Sequence, residues 1–201
     1  MKKIPTLFER QFENHRLVGI TDRVTPGFEW VLEGEGTATV KLDGACCAII
    51  DGEFYKRYDC KKGKTPPEGA LPCCDPDPVT GHWPHWVKVD RDNPSDKWFV
   101  AAYQNRDKDE LEDGTYEAIG QHFQGNPYGL NFDHLVRHGI YICSVPRSFD
   151  GIRDFLKRRP VEGLVFWKDG APQCKIKRTD FGLLWPDPRA AKAYPDGEER
   201  A

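Results

Sequence analysis

Lys41 and Asp43 sit in TVKLDGACC (residues 39–47), where a cationic nitrogen, a short carboxylate and Gly44 fall within four positions. A free lysine titrates near ~10.4, so at neutral pH it is a poor nucleophile unless neighbouring cations or a metal lower that value. Two readings stand at this point: an ordinary solvated strand end, or a nucleophilic Lys41. EGLVF (162–166) and KIKR (175–178) add a carboxylate and more cations downstream. A two-residue turn at Asp169-Gly170 predicts that Glu162 lies opposite Lys177 and Leu164 opposite Lys175. Glu162, Lys175 and Lys177 then line one surface, while Cys174 and Ile176 face the core. That surface is either an ion-pair ladder or a grip for a phosphate.

The elements that must position these groups read as a mixed antiparallel α+β arrangement. Residues 37–42 alternate with period two, so Ala38, Val40 and Leu42 face inward and Thr37, Thr39 and Lys41 face a cleft or solvent. ACCAII and EFYKRYD flank Asp51-Gly52, a strong hairpin signal. Residues 61–97, rich in Pro, Gly and Asp, predict a long irregular excursion. DGTYEAIG (113–120) reads as a short strand and NFDHLVRHG (131–139) as a short helix ended by Gly139. IYICSV (140–145) reads as an apolar strand. SFDGIRDFLKRRP predicts a helix capped near Ser148, with Ile152, Phe155 and Leu156 inward and Pro160 ending it. No internal repeat is visible.

The 201-residue chain is 38% hydrophobic and 30% charged, and its eleven Phe, seven Tyr and six Trp argue against wholesale disorder. It shows neither a membrane-length apolar run nor the apolar block of a signal peptide. Seven cysteines, two pairs of them adjacent, fit reduced thiols in a cytoplasm better than a disulfide framework. A net charge of −3 offers nucleic acid no global attraction. Binding of that kind must use local basic stretches: Lys56, Arg57, Lys61, Lys62 and Lys64; Arg153, Lys157, Arg158 and Arg159; and KIKR. Cys73, Cys74, His82 and His85 match zinc spacing poorly and read instead as buried thiols and hydrogen-bonded histidines. His122, His134 and His138 read as structural. No phosphate-binding GK[ST] loop is present, and GEG at 34–36 is too short for a dinucleotide fingerprint, so kinase and dehydrogenase readings fall away.

KLDG (41–44), the aromatic-flanked Lys56-Arg57, GTYEAIG around Glu117, EGLVF (162–166) and KIK (175–177) occur in that order. The set resembles motifs I, Ia, III, IV and V of the covalent nucleotidyltransferases, the superfamily of polynucleotide ligases and mRNA-capping enzymes. With KIKRTDFGLLWP and TGHWPHW, the chain looks most similar to the small single-domain ATP-dependent RNA ligases of animals, bacteria and phages. The resemblance covers roughly residues 35–186. It implies an α+β ligase catalytic domain of antiparallel sheets flanked by helices over residues 1–186, a flexible tail over 187–201, and no C-terminal oligonucleotide-binding domain.

By the same resemblance, Lys41 attacks the α-phosphate of ATP and carries AMP, which passes to an RNA 5′-phosphate before sealing to a 3′-hydroxyl. Lys175 and Lys177 grip the α-phosphate, and Glu162 serves Mg²⁺ or Mn²⁺ directly or through water. Arg57 and Glu117 hold the ribose hydroxyls or the acceptor phosphate, Asp43 orients Lys41 or a metal-bound water, and Gly44 allows a sharp backbone turn. Many ligases carry an acidic residue where Thr39 stands, and Phe123 and Tyr141 are both candidates to stack on the base. The implied protein is a cytoplasmic monomer whose partners are RNA ends and not a membrane. The alternatives are a non-catalytic nucleotide- or RNA-end-binding protein, or a transferase of the capping or DNA-ligase type.

Overall fold

Asp51-Gly52 and Asp169-Gly170 each turn with positive φ at both residues, 51° and 73° in one and 54° and 73° in the other. That is the backbone of a type I′ turn, whose twist suits two antiparallel strands. Around these hairpins the computed structural model describes residues 3–14, 16–105 and 112–193. In chain order the strands are β1 (Phe8–Glu13), β2 (Arg16–Val24), β3 (Thr37–Lys41), β4 (Ala45–Ile50), β5 (Glu53–Cys60), β6 (Leu71–Pro72), β7 (Trp83–Lys88), β8 (Gly114–Ile119), β9 (His134–Arg137), β10 (Gly163–Lys168) and β11 (Ala171–Lys177). The helices are α1 (Glu29–Leu32), α2 (Lys97–Gln104), α3 (Phe149–Arg158) and α4 (Ala190–Ala193). The strand pairings between named strands are all antiparallel, as the α+β reading expects. Among the described residues, no helix is long and apolar enough to cross a membrane.

The chain divides into two compact units, one of residues 1–3 and 43–138, the other of 4–42 and 139–201. In the second unit the sheet order is β11-β10-β3. Its inner face carries Ala38, Leu164, Phe166, Cys174 and Ile176, packed with Leu7, Phe8, Ile152 and Leu156 into one core. Helix α3 supplies Ile152 and Leu156 from one stripe, and its Ser148 hydroxyl accepts the Gly151 N–H at 3.1 Å, the cap expected from the sequence. The hairpin β1-β2 has no counterpart in the sequence reading, and it feeds Phe8 into this core.

The register of β10 and β11 differs from the expected one. The turn is the two-residue turn, with Lys168 opposite Ala171, but a bulge follows immediately. Gln173 is the extra residue, so Gly163, not Glu162, lies opposite Lys177, and Val165 opposite Lys175. Cys174 and Ile176 still face the core, both fully buried.

In the first unit the six-stranded order is β6-β7-β5-β4-β8-β9. One face packs Cys47, Ile49, Phe54, Tyr116 and Ala118 against Ala102, Phe99 and Tyr103 of α2. The period of two then sends Cys46, Thr115 and Glu117 to the opposite face.

Three expectations are corrected. Residues 131–139 are no helix: His134–Arg137 is strand β9, paired with Tyr116–Ile119. The excursion from 61 ends before 83, because Trp83–Lys88 runs the length of β5 as β7. Residues 140–145 form a single bridge, Thr39 to Ile142, with Val40 N–H donating to Tyr141 O at 2.8 Å and Cys143 N–H to Ala38 O at 3.0 Å. Beyond Pro186, in the expected tail, Asp187 and Ala190 are buried and α4 follows; residues 194–201 lie outside the described residues.

Candidate functional site

Strand pairing brings Lys41 of β3, Gly163 of β10 and Lys177 of β11 into one cross-strand row. Gly163 is required there by space: a Cβ would lie 2.2 Å from the Ile176 carbonyl oxygen and 2.9 Å from the Lys177 Cα. Glu162, just before β10, turns its carboxylate onto the same row. Its Oε2 accepts from Lys41 Nζ and its Oε1 from Lys177 Nζ, each at 2.5 Å, with the Glu162 side chain only 3% exposed. The lysines are more open, at 21% and 33%. Lys41 Nζ also donates to Leu42 O at 3.1 Å. The expected surface grouped Glu162 with Lys175 and Lys177; with the register shifted by one, the ion pairs of Glu162 are instead with Lys41 and Lys177.

The next row is Thr39, Val165 and Lys175, so Lys175 shares the face of Lys41 and Lys177. Thr39, expected to meet a cleft or solvent, is 2% exposed. Its hydroxyl accepts from Trp167 Nε1 at 2.9 Å and approaches Val165 O at 3.4 Å, so it is already committed. Tyr141 lies beside β3 through its carbonyl.

The polar sheet face of the first unit carries the remaining predicted residues. Cys46 pairs with Glu117 across β4 and β8. Cys47 pairs with Lys56 on β5, so the same register carried one step further brings Arg57 beside Cys46. Glu117 is 8% exposed, and both of its oxygens are held. Oε1 accepts the Gly44 N–H at 3.0 Å, and Oε2 lies 2.8 Å from His138 Nε2. His138 Nδ1 in turn lies 2.9 Å from Thr115 Oγ1. Gly44, expected to make a sharp turn, lies at a bend just before β4, and it also provides room, since a Cβ there would lie 2.2 Å from Ala118 O and 2.8 Å from Glu117 Cγ. The Asp43 N–H donates to the buried Tyr128 hydroxyl at 2.7 Å.

Arg57 Nε donates to Asp59 Oδ1 at 2.8 Å. Burial pulls the guanidinium down, but the Asp59 hydrogen bond and charge outweigh it, so the group is raised and firmly cationic. Cys46 is pushed up to about 12, by burial first and then by the Glu117 charge, so its thiol stays protonated at neutral pH. Lys56 has another role: it points to the core side and pairs with Asp96, which is 1% exposed. Phe123 is also a core residue, edge-on to Phe99 at 5.2 Å, which removes it as a candidate for base stacking.

The sequence reading assigned Cys46 no place and took His138 as structural; the structure sets both beside Glu117. Alternation along β4 marks Cys46 as sharing a face with Ala48, but only the β4–β8 register, set by no turn, reveals Glu117 as its neighbour. His82 and His85 do not join Cys73 and Cys74 in a ligand cluster: His85 Nδ1 lies 2.9 Å from Trp83 O, and its ring meets the Trp83 ring edge-on.

No protein-family profile matches the chain. Three curated proteins are similar to it, each named RNA ligase 1. The Danio rerio protein is 30% identical over 53% of this chain and 42% of its own length. Those of Pongo abelii and Rattus norvegicus are 27% identical over 54% of this chain and 43% of theirs. The chain therefore spans less than half the length of the curated relatives it matches, and the similarity supports a relationship to RNA ligases.

Proposed function

We propose that this chain is an ATP-dependent RNA ligase that carries AMP on Lys41, passes it to an RNA 5′-phosphate and joins that end to a 3′-hydroxyl. The observation that carries the proposal is the Lys41–Glu162–Lys177 cluster, two half-buried lysines sharing one buried carboxylate. The similarity to proteins named RNA ligase 1 supports the same reading.

In the first step Lys41 Nζ bonds to the α-phosphorus of ATP as the bond from that phosphorus to the bridging oxygen breaks. Pyrophosphate leaves with the electron pair, and Nζ gives up a proton, for which the Glu162 carboxylate at 2.5 Å is an acceptor at hand. Lys177 and Lys175 stabilise the charge that builds on the phosphate oxygens. In the second step an oxygen of the RNA 5′-phosphate attacks the same phosphorus and the P–N bond breaks. In the third, the 3′-hydroxyl attacks the 5′-phosphorus and AMP leaves. Arg57 offers forked donors to a phosphate, and Glu117 offers acceptors to ribose hydroxyls.

Mg²⁺ or Mn²⁺ fits this donor set, because Glu162 is a hard oxygen ligand and the nucleotide brings more. Both Glu162 oxygens are engaged by lysines, so Glu162 would hold the metal only with Lys41 or Lys177 turned to the phosphates. When bound, the metal neutralises triphosphate charge and aligns pyrophosphate for departure.

The test is to weigh the intact protein after incubation with ATP and a divalent metal, and separately with GTP. The expected result is a gain of one AMP that is absent in Lys41→Ala. An unchanged mass in every metal condition, with no sealing of pre-adenylylated RNA, overturns the ligase reading and leaves a binding protein.

A further inference from the structure

Within the first unit, Cys46, Glu117 and His138 each offer one donor atom, and these three atoms all lie within 4.8 Å of one another. Among the described residues no other group of three such side chains comes together in this way. We propose that the Cys46 sulfur, the His138 Nε2 and the Glu117 Oε2 form a site for a thiophilic divalent cation, Zn²⁺ being the best fit, with water as fourth ligand.

The donor set argues for the metal. One thiolate, one imidazole and one carboxylate are zinc ligands, and a three-residue set with an open fourth position matches the catalytic and exchangeable type of site. The hard ions Mg²⁺ and Ca²⁺ prefer an all-oxygen shell, which this set does not provide. Ligands around tetrahedral zinc lie on the order of 3.4–3.8 Å apart, given bond lengths near ~2.0–2.3 Å. The present atoms lie near that spacing: the His138–Glu117 contact of 2.8 Å must open, and no two of the three atoms are more than 4.8 Å apart.

The supporting contacts also suit a metal. The Thr115 hydroxyl sits at the far ring nitrogen of His138, where it can accept an Nδ1–H once the ion takes the Nε2 lone pair. The Gly44 N–H holds Oε1 of Glu117, leaving Oε2 to ligate. Partners behind the ligands orient them and sharpen affinity. Cys46 and Glu117 are a cross-strand pair, and the His138 N–H donates to Thr115 O at 3.0 Å, so all three ligands are borne by one sheet. Binding displaces one proton, that of the thiol, to water, while the Nε2 proton of a neutral imidazole moves to Nδ1. Thiolate, carboxylate and a dication sum to a neutral centre, which the neighbouring Arg57 guanidinium does not oppose.

This site takes the carboxylate proposed above for the ribose. Zinc and nucleotide then compete, and zinc is expected to inhibit AMP attachment even with magnesium in excess. That consequence rests on the proposed function; the binding test does not.

The test uses the reduced, metal-free 201-residue chain and no nucleotide. Titration with Co²⁺ is expected to give one equivalent of a tetrahedral visible spectrum with a thiolate-to-cobalt charge-transfer band, abolished by excess Zn²⁺. Cys46→Ser should lose that band, and Cys46→Ser and His138→Gln should each weaken zinc tenfold or more against a chromogenic chelator. Cys143→Ser should change neither. Should a variant misfold by circular dichroism, zinc-edge X-ray absorption of the wild type decides, with one sulfur and three nitrogen or oxygen ligands expected. Two or more sulfurs, no sulfur, or unchanged zinc affinity in folded Cys46→Ser overturns the site.

Discussion

Glu162 is the residue on which the lysine cluster turns, because a single carboxylate answers two ammonium groups that would otherwise repel across Gly163. Replacing it by glutamine keeps the shape and removes the charge. Glu162→Gln is therefore expected to slow AMP attachment by about a hundredfold or more, and Lys177→Ala comparably. Single-turnover labelling with α-labelled ATP measures both. If Glu162 also serves a metal, raising manganese restores part of the Glu162→Gln rate and none of the Lys177→Ala rate; equal rescue would point to a simple ion pair. Gly163→Ala is a different kind of change. Its methyl group meets backbone, not a movable side chain, so a loss of about 1–3 kcal/mol in urea unfolding is expected together with displaced lysines. Lys41→Ala should still seal RNA supplied with AMP already on its 5′ end, since that step needs no lysine nucleophile, and a gel assay without ATP reads it directly.

At the scale of elements, the end of α3 explains a basic stretch that the sequence offered to phosphate. Arg178 of KIKR is 4% exposed and donates to the carbonyls of Leu156, Arg159 and Leu184, while its other nitrogen holds Asp187 at 2.8 Å. Arg189 binds the same carboxylate and caps Lys157 O at 3.0 Å. Two guanidinium groups thus satisfy the open carbonyls of a helix C-terminus, where positive charge is favoured. Hydrogen bonding from Arg189, with Arg178 adding its charge, holds the Asp187 carboxyl down at about 2. A depressed native value means the contribution is whole above about pH 4 and fades as pH falls toward 2. Asp187→Asn is expected to cost about 2 kcal/mol at pH 7, and the gap from wild type should narrow progressively below pH 4 in denaturant titrations.

The same scale shows what could be read in advance. Both Asp-Gly turns and the Ser148 cap are local chemistry and were legible. The bulge at Gln173 was not, because nothing in QCKIK marks which residue is extra. Phe132, Leu135 and Val136 have helical spacing, yet four residues are too few to separate a turn of helix from a strand, and pairing with β8 decides. Lys41, Glu162 and Lys177 were found through their order along the chain, whereas the Cys46–Glu117–His138 group depends on strand registers that no turn dictates.

For the whole molecule, the net charge of −3 matters less than where the cations are already spent. Lys56 is paired with Asp96, Arg57 with Asp59 and Arg178 with Asp187. Lys61, Lys62 and Lys64 remain exposed in the excursion after β5. If the chain binds RNA, reversing these three to glutamate is expected to weaken binding and to flatten its salt dependence by about 0.7 in log–log slope for each phosphate no longer neutralised. Fluorescence anisotropy over a salt series measures both; an unchanged slope would exclude the loop from the RNA path. The two units also differ in how the chain builds them. Apart from its first three residues, the six-stranded unit is continuous, residues 43–138. The other unit is interrupted at Leu42, and Glu162 follows Lys41 by 121 positions. On a ribosome adding about 5–20 residues per second, β3 therefore emerges many seconds before β10 exists to pair with it. The six-stranded sheet can close while the strand bearing Lys41 still waits, so Lys41 meets Glu162 and Lys177 only once β10 and β11 have been made.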